Sequence, residues 1–203
     1  MNEKKPRGRP KKYDPEQALD RLTAVFWEKG FDAASLDELA RAAGMNRPSL
    51  YAAFGDKEAM FLATQRRFAK QFSSEVLQRL QQDGPILEVM AASLDHLIAT
   101  YQTGIGRGCY AFSVGAMGAA YKPKLARMFD ALFQDMEMQI AHRLASAQKQ
   151  GEITADTDVE LLARVLTASM NGLAVRSRAG GDAGAMQDRA DSILYALKLA
   201  MMP

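Results

Sequence analysis

Residues 35–57 limit what this chain can fold into more than any other stretch, and they read SLDELARAAGMNRPSLYAAFGDK. Ser35 is followed three positions later by Glu38, which is the capping-box pattern with which many helices begin. Gly44 follows an apolar stripe at helical spacing and can end the helix in a left-handed conformation without the steric cost of a Cβ atom. The stretch therefore predicts a short helix that begins after Ser35 and ends in a tight turn.

A second short helix is predicted directly after that turn. Asn46 is a suitable N-cap, and Pro48 falls in the first turn, where a missing N–H is tolerated. Leu50 and Phe54 lie four residues apart and are predicted to point inward. The residues on the outer face are Arg47, Ser49, Tyr51, Ala52 and Ala53. Two short helices joined by a glycine-containing turn predict a helix-turn-helix, whose second helix fits the major groove of DNA.

The motif of this stretch consists of Gly44, the sequence Ser-Leu-Tyr-x-x-Phe at residues 49–54 and Gly-Asp-Lys-Glu at residues 55–58. It resembles the DNA-binding headpiece of the TetR family of bacterial transcription regulators, and the resemblance spans roughly residues 14 to 62. The resemblance implies an all-α fold of about nine helices. It divides the chain into a flexible basic arm (1–12), a three-helix helix-turn-helix headpiece (13–56) and a C-terminal helical ligand-binding and dimerisation domain (57–203).

The helix-turn-helix pattern predicts that the headpiece binds double-stranded DNA. The side chains expected to contact it are Ser35, Asn46, Arg47, Ser49, Tyr51 and Lys57. Several of them can donate to phosphates, while Asn46 and Arg47 could reach base edges. Ala52 and Ala53 stand at outward positions where relatives often carry larger polar side chains, so we expect few side chains of this helix to contact base edges directly. More of the specificity would then come from the arm and from DNA shape.

The arm is the basic part of the chain. The net charge is +2 overall, but residues 1–12 carry +5 and residues 13–203 sum to −3. Within the arm, Arg7-Gly8-Arg9-Pro10 resembles the core of an AT-hook, in which Arg-Gly-Arg lies in a narrow A·T minor groove. The alternative is a solvated basic tail that contacts phosphates without preference.

Composition argues against several other classes of protein. No apolar run approaches the roughly 18 residues of a membrane helix, and the basic N-terminus lacks the apolar segment of a secretory signal. We therefore expect no membrane partner and a cytoplasmic location. Cys109 is the only cysteine, and His96 and His142 lie far apart, so neither a metal site nor another cofactor is expected. The chain also lacks a recognisable catalytic motif, which predicts that it is not an enzyme.

The family resemblance implies a pocket for a small apolar or aromatic ligand between helices five, six, seven and eight. The residues expected to line it are Met90, Tyr101, Cys109, Tyr110, Phe133 and Met170. Cys109 allows two interpretations. It is either a small buried residue or a redox or electrophile sensor, whose thiol pKa would be lowered by a helix N-terminus and by Arg107.

The resemblance also implies a homodimer in which the last two helices pair with their two-fold mates. The interface residues expected are Ala163, Leu166, Met170, Ile193 and Leu197. Gly172 lies inside one of these helices, which suggests a close helix crossing. The function that follows is a repressor that binds a palindromic operator as a homodimer and is released by a small inducer. The alternatives are an activator, an architectural protein that coats A·T-rich DNA without a ligand, and an enzyme or metal sensor built on a helical bundle.

Overall fold

A computed structural model of the chain describes residues 14–102, 108–115 and 122–201, and within these ranges it contains helices and no strand. The nine helical elements are α1 (Pro15–Ala33), α2 (Leu36–Ala43), α3 (Arg47–Phe54), α4 (Lys57–Leu80), α5 (Ile86–Gln102), α6 (Ala111–Gly115), α7 (Pro123–Lys149), α8 (Val159–Arg178) and α9 (Ala183–Leu199). The α6 element has π-helical hydrogen bonding. The predicted all-α fold is therefore confirmed. Arg7, Gly8 and Arg9 of the predicted arm lie outside the described residues.

The helices of the headpiece begin and end as the sequence predicts. Ser35 and Glu38 form both halves of the capping box. Gly44 ends α2 with φ of 66°, in the left-handed region that favours glycine. The Asn46 side chain accepts a hydrogen bond from the Ser49 N–H at 2.9 Å and so caps α3. Local capping therefore fixes the angle at which the chain leaves α2 and enters α3.

The core of the headpiece is closed by α4. Its fully buried large side chains are Leu22, Phe26, Leu39, Leu50 and Phe61. The rings of Phe26 and Phe61 meet edge to face at 5.0 Å between centroids, which joins α1 to α4. Each such side chain contributes about 1.5–3 kcal/mol when fully buried. Helix α4 therefore belongs to the headpiece core at its N-terminal end.

An ion pair on the surface adds to the contact between α1 and α4. The Arg67 guanidinium donates to both carboxylate oxygens of Asp20, at 2.8 and 3.1 Å. This bidentate arrangement fixes the relative orientation of the two helices more strongly than a single bond would. The Arg67 side chain is only 20% exposed, so solvent screens the pair incompletely. The headpiece and the first half of α4 therefore form one packed unit.

Helices α5 to α9 form a bundle, called the body below. Its interior is filled by buried aliphatic side chains, among them Met90, Leu94, Leu125, Leu144, Leu173 and Met186. The short α6 packs against α1, α4 and α8, so it lies where the headpiece meets the body. Gly115 at the end of α6 lies against the ring of Phe129, where a Cβ atom would stand 1.8 Å from Cζ. No helix in the described ranges combines the length and the apolar character that crossing a membrane requires.

Candidate nucleic-acid interface

The outer face of α3 carries the side chains expected to meet DNA. Leu50 is fully buried and anchors α3 to the core, while Ser49 lies on the exposed side and Tyr51 is 43% exposed. Asn46 is exposed at the N-terminus of the helix, although its side-chain oxygen is occupied by the cap to Ser49. The amide nitrogen of Asn46 therefore remains as its donor toward a base or a phosphate.

Arg47 is oriented by an acidic neighbour that sequence reasoning missed. Its Nε donates to Asp37 Oδ1 at 2.6 Å, and its Nη2 lies 2.6 Å from Asp37 Oδ2. The hydrogen bond from Arg47 holds the pKa of Asp37 below its ordinary value. Both side chains are more than half exposed, so the pair contributes little to stability. Its effect is to hold the guanidinium at the start of α3 and to offset part of its charge.

The start of α2 is held by a small polar network around Glu38. One carboxylate oxygen accepts hydrogen bonds from the Ser35 N–H at 3.0 Å and the Ser35 hydroxyl at 2.8 Å, while the other pairs with the Lys29 ammonium. The bond from Lys29, followed by the two from Ser35, lowers the pKa of Glu38 to about 2. The single hydroxyl hydrogen of Ser35, which was predicted to contact DNA, is therefore already donated to Glu38.

Lys57, which was predicted to contact DNA, has its ammonium directed at the headpiece. Its Nζ donates to the Asp32 carbonyl oxygen at 3.2 Å and lies 4.8 Å from the centroid of the Phe31 ring. Lys122, which directly precedes α7, places its Nζ 4.3 Å from the same ring and 4.0 Å from Glu58. Burial lowers the pKa of Lys57, and the charge of Lys122 adds to that effect. No local pattern in the sequence indicated that Lys122 reaches the headpiece.

The six residues predicted to bind a ligand are packed into the body. Met90, Tyr101, Cys109, Tyr110 and Met170 are at most 3% exposed, and Phe133 is half-buried with its ring 4.8 Å from that of Phe112. Three cavities of about 460, 340 and 330 Å³ lie respectively between α7 and α8, between the end of α4 and α7, and between α8 and α9. None of these three is lined by the six residues.

The expectation that the Cys109 thiol has a lowered pKa is wrong. Cys109 is 1% exposed, and its burial raises the pKa of the thiol to about 12. The backbone N–H groups of Phe112 and Ala111 act in the opposite direction, as a helix N-terminus should, but the loss of hydration outweighs them. Arg107 lies outside the described residues. The structure therefore supports the interpretation of Cys109 as a small buried residue.

The five residues predicted for the dimer interface also require a correction. Ala163, Leu166, Met170, Ile193 and Leu197 are between 0 and 5% exposed within a single subunit, so they fill its own core. Among the residues that the structure describes, nothing lies within 4 Å of a Cβ atom built on Gly172, so they do not include the close helix crossing expected there. The other faces of the same two helices hold the exposed apolar side chains, which are Leu161, Val165, Val175, Tyr195 and Leu199.

A capped helix, a glycine turn and a second helix with an exposed polar face define a helix-turn-helix DNA-binding protein. Two family descriptions match the chain. "Bacterial regulatory proteins, tetR family" matches residues 18–64, and "Tetracyclin repressor-like, C-terminal domain" matches residues 87–193. The chain therefore belongs to the TetR family of bacterial transcription regulators, which bind operator DNA, and it is not an enzyme.

Known relatives extend the similarity over nearly the whole chain. The HTH-type transcriptional regulator YezE of Bacillus subtilis (strain 168) is 30% identical over 192 residues, covering 94% of this chain and 99% of the relative. The HTH-type transcriptional repressor ComR of Escherichia coli (strain K12) is 30% identical over 87% of this chain and 85% of its own length. A cysteine mutant of the TetR-family regulator CifR, solved with a 26-base-pair operator, is 28% identical, with a TM-score of 0.81 over 93% of this chain and 99% of CifR.

Proposed function

We propose that this regulator is a repressor that binds a palindromic operator as a homodimer and releases it when a small apolar or aromatic inducer binds. Helix-turn-helix dimers meet two half-sites in successive major grooves, so their two-fold symmetry matches a palindrome. The CifR structure with its operator, and the description of ComR as a repressor, support this proposal by similarity. In this arrangement α3 enters the major groove, and the arm with Arg7 and Arg9 follows an adjacent minor groove.

The observation that carries the dimer is a pair of exposed stripes on α8 and α9, of which the α8 stripe is apolar and the α9 stripe is apolar only in its second half, at Tyr195 and Leu199. On α8 the exposed or partly exposed positions at alternating spacings of four and three are Leu161, Val165, Ala168, Gly172 and Val175. On α9 the corresponding positions are Asp188, Ser192, Tyr195 and Leu199. Alternation of four and three residues is the spacing with which helices pack side by side in four-helix bundles. Two such stripes per subunit suit a two-fold four-helix interface.

A ligand within the body would act on DNA binding through α4. The six proposed ligand residues lie on α5 (Met90, Tyr101), directly before α6 (Cys109, Tyr110), on α7 (Phe133) and on α8 (Met170). Five of them are at most 3% exposed and Phe133 is half-buried, so a ligand has to displace some of these side chains, and flexible methionines yield at low cost. Any such displacement reaches α3 through α4, and a dimer with wrongly spaced recognition helices cannot satisfy both half-sites.

Footprinting tests the proposal as a whole. The full chain is first used to select duplexes from a random library, and the enriched duplexes are then footprinted with random DNA as competitor. We expect one protected palindromic segment and a complex that contains two chains. Diffuse protection that scales with A·T content would instead support an architectural protein.

Substitution of Arg47 provides a residue-level test of the same interface. Arg47→Ala is expected to weaken binding to the selected duplex by about tenfold, because the start of α3 loses its guanidinium. The matched control is Arg127→Ala, which removes one exposed arginine from α7 in the body. Equal losses for the two variants would show that only overall charge matters and that α3 does not dock as proposed.

A further inference from the structure

The seam between the headpiece and the body contains a buried amide, Gln65 on α4, which is 0% exposed. Among the described residues neither its Oε1 nor its Nε2 completes a hydrogen bond of normal geometry. The amide nevertheless lies near enough to the Tyr110 hydroxyl to lower the pKa of that group. Buried polar groups without a hydrogen bond are rare in native proteins, because burial removes their bonds to water and no bond within the protein replaces them. A second arrangement of this seam in which Gln65 is paired would explain why an amide is present there.

Tyr110 lies over the face of α4 that carries this amide. Its ring centroid is 6.1 Å from that of Phe61 and 5.6 Å from that of Phe68. Residues 61, 65 and 68 share one helical face, so Gln65 lies between the two rings that Tyr110 contacts. The Tyr110 hydroxyl is 2.9 Å from Thr64 Oγ1, on the neighbouring position of the same helix.

The direction of the bond between Tyr110 and Thr64 follows from the other contact of Thr64. The Thr64 hydroxyl donates to the Phe61 carbonyl oxygen at 2.7 Å. Since a threonine hydroxyl has a single hydrogen, the Tyr110 hydroxyl must be the donor to Thr64 Oγ1. Burial raises the pKa of Tyr110, so its hydroxyl keeps that proton. The Tyr110 hydroxyl therefore donates to Thr64 Oγ1. The Gln65 amide also interacts with this hydroxyl, since it lowers the pKa of Tyr110, and its Oε1 is the one atom of that amide that could accept the same proton.

The element that carries Tyr110 is suited to a small change of position. Tyr110 directly precedes α6, whose π-helical bonding is rare and often marks functional sites. Conversion of one π-helical turn to α-helical bonding changes the register and would rotate the attached tyrosine relative to α4. Packed seams of this kind tend to have discrete arrangements rather than a continuous range.

We propose that the Tyr110 hydroxyl exchanges between Thr64 and Gln65, and that this exchange transmits movement of α6 to α4 and so to the headpiece. The inference rests on the proposed ligand-responsive function, to which it adds the hydrogen-bond step. Thr64 and Gln65 are positioning residues, since each favours one location of α6 against α4. The helix that they share continues into the headpiece core through Phe61.

Two near-isosteric variants shift the exchange in opposite directions. Thr64→Val removes the acceptor used in the present arrangement, and Gln65→Met removes the alternative acceptor. Trp27 reports the outcome without DNA, because it is the only tryptophan and its ring lies 5.3 Å from that of Tyr110. The measurements are the Trp27 emission maximum and the affinity of the full chain for the duplex selected by the wild-type protein.

We expect the two variants to move the Trp27 emission in opposite directions and to change affinity for the duplex in opposite directions, each by about threefold to tenfold. In a Tyr110→Phe background both effects should fall below about twofold. Thr64→Ser retains the acceptor and should behave as wild type, and thermal unfolding followed by circular dichroism confirms that each variant is folded. Shifts in the same direction, no effect of Gln65→Met, or effects that persist without the tyrosine hydroxyl would overturn the exchange.

The two proposals fail in different ways. If the wild-type protein selects no palindromic duplex, the proposed function fails, while the Trp27 emission still tests the exchange. If the duplex is selected but Trp27 does not distinguish the variants, the exchange fails and the repressor assignment stands.

Discussion

Gly115 leaves no room for a side chain at the point where α6 meets α7. A Cβ atom there would lie 1.8 Å from Cζ of Phe129 and within 3 Å of two further ring atoms. Phe129 is itself only 4% exposed, so its ring cannot simply turn away. We expect Gly115→Ala to lower the free energy of unfolding by about 1–3 kcal/mol through overpacking, measured by urea denaturation.

The matched control for this prediction is Gly184→Ala, at a glycine in α9 outside the proposed interface stripes, where the added Cβ atom would meet only Asp182 Oδ1 among the described residues, at an ordinary 3.4 Å. That variant gains helix propensity and should leave the fold of the subunit intact. A second substitution, Phe129→Leu, should recover part of the loss in Gly115→Ala. If both alanine variants were equally stable, contact with Phe129 would not be the reason for glycine at position 115.

Glu38 gives the headpiece a defined dependence on pH. Its pKa is about 2 in the folded chain, compared with an ordinary value of 4.5, because of its bonds to Lys29 and Ser35. A carboxyl group with a lowered folded-state pKa stabilises the protein above its unfolded pKa, and this contribution is lost as the pH falls through the folded value. The contribution should therefore be complete above about pH 5 and should decline toward pH 2.

Comparison with Glu38→Gln isolates this contribution from that of other carboxylates. The difference in unfolding midpoint between wild type and variant should shrink steadily as the pH is lowered across that window. It should also shrink with added salt, because the group is exposed to solvent. A difference that stayed constant across the pH range would mean that the charge of Glu38 is not involved.

At the scale of elements, the capping signals located the helices of the headpiece well. Ser35, Gly44 and Asn46 each act through bonds within a few residues, so the local sequence determines where α2 ends, where α3 begins and how the turn between them is made. Asp158 and Asp182 cap α8 and α9 through bonds of the same local kind. Local chemistry of this kind does not depend on which helices pack together, and this is why the caps of the headpiece could be predicted.

The choice of faces on α8 could not be predicted in the same way. Leu166 and Met170 lie on one apolar face, and Leu161 and Val165 lie on another. Periodicity shows that both faces are apolar, but it does not show which of them packs on the subunit's own core. That choice is made by long-range packing against α7 and α9. Gln65 is a similar case, since its burial depends on Tyr110 from a distant part of the chain.

The exposed stripe on α8 leads to a prediction about assembly. Val165→Glu should convert the proposed dimer to a monomer, with a dissociation constant at least about 100-fold higher, because each copy would bury an unpaired charge. Val165 is 48% exposed in the single subunit, so the fold should tolerate the change. Sedimentation equilibrium measures the assembly, and circular dichroism checks the fold.

Met138→Glu is the control for this substitution, because Met138 is 60% exposed on α7 and lies outside both stripes. It introduces the same charge at another apolar surface position and should leave the dimer intact. Dissociation by both variants, or by neither, would contradict an interface built on the α8 stripe.

At the scale of the whole molecule, charge is distributed against the usual expectation for a DNA-binding headpiece. Residues 13–203 sum to −3, and two of the basic side chains in the headpiece are paired with acidic ones, Arg47 with Asp37 and Lys29 with Glu38. Lys57 bonds to a carbonyl oxygen and has a lowered pKa. These pairings offset part of the basic charge of the headpiece, so we expect residues 1–12, with a net charge of +5, to supply most of the attraction to DNA.

Deletion of residues 1–12 should therefore change how binding depends on salt. Each neutralised phosphate contributes about 0.9 to the slope of log affinity against log salt. The slope for the selected duplex should flatten by several units on deletion, and an unchanged slope would show that the arm does not contact phosphates.

The double substitution Arg7→Lys and Arg9→Lys separates the two interpretations of the arm, because it keeps the charge but not the arginine geometry favoured in narrow A·T minor grooves. If Arg-Gly-Arg lies in the minor groove, this variant should lose the preference for A·T-rich flanks while keeping the wild-type slope. If the arm contacts only phosphates, the variant should match the wild type both in its choice of flanking sequence and in its slope.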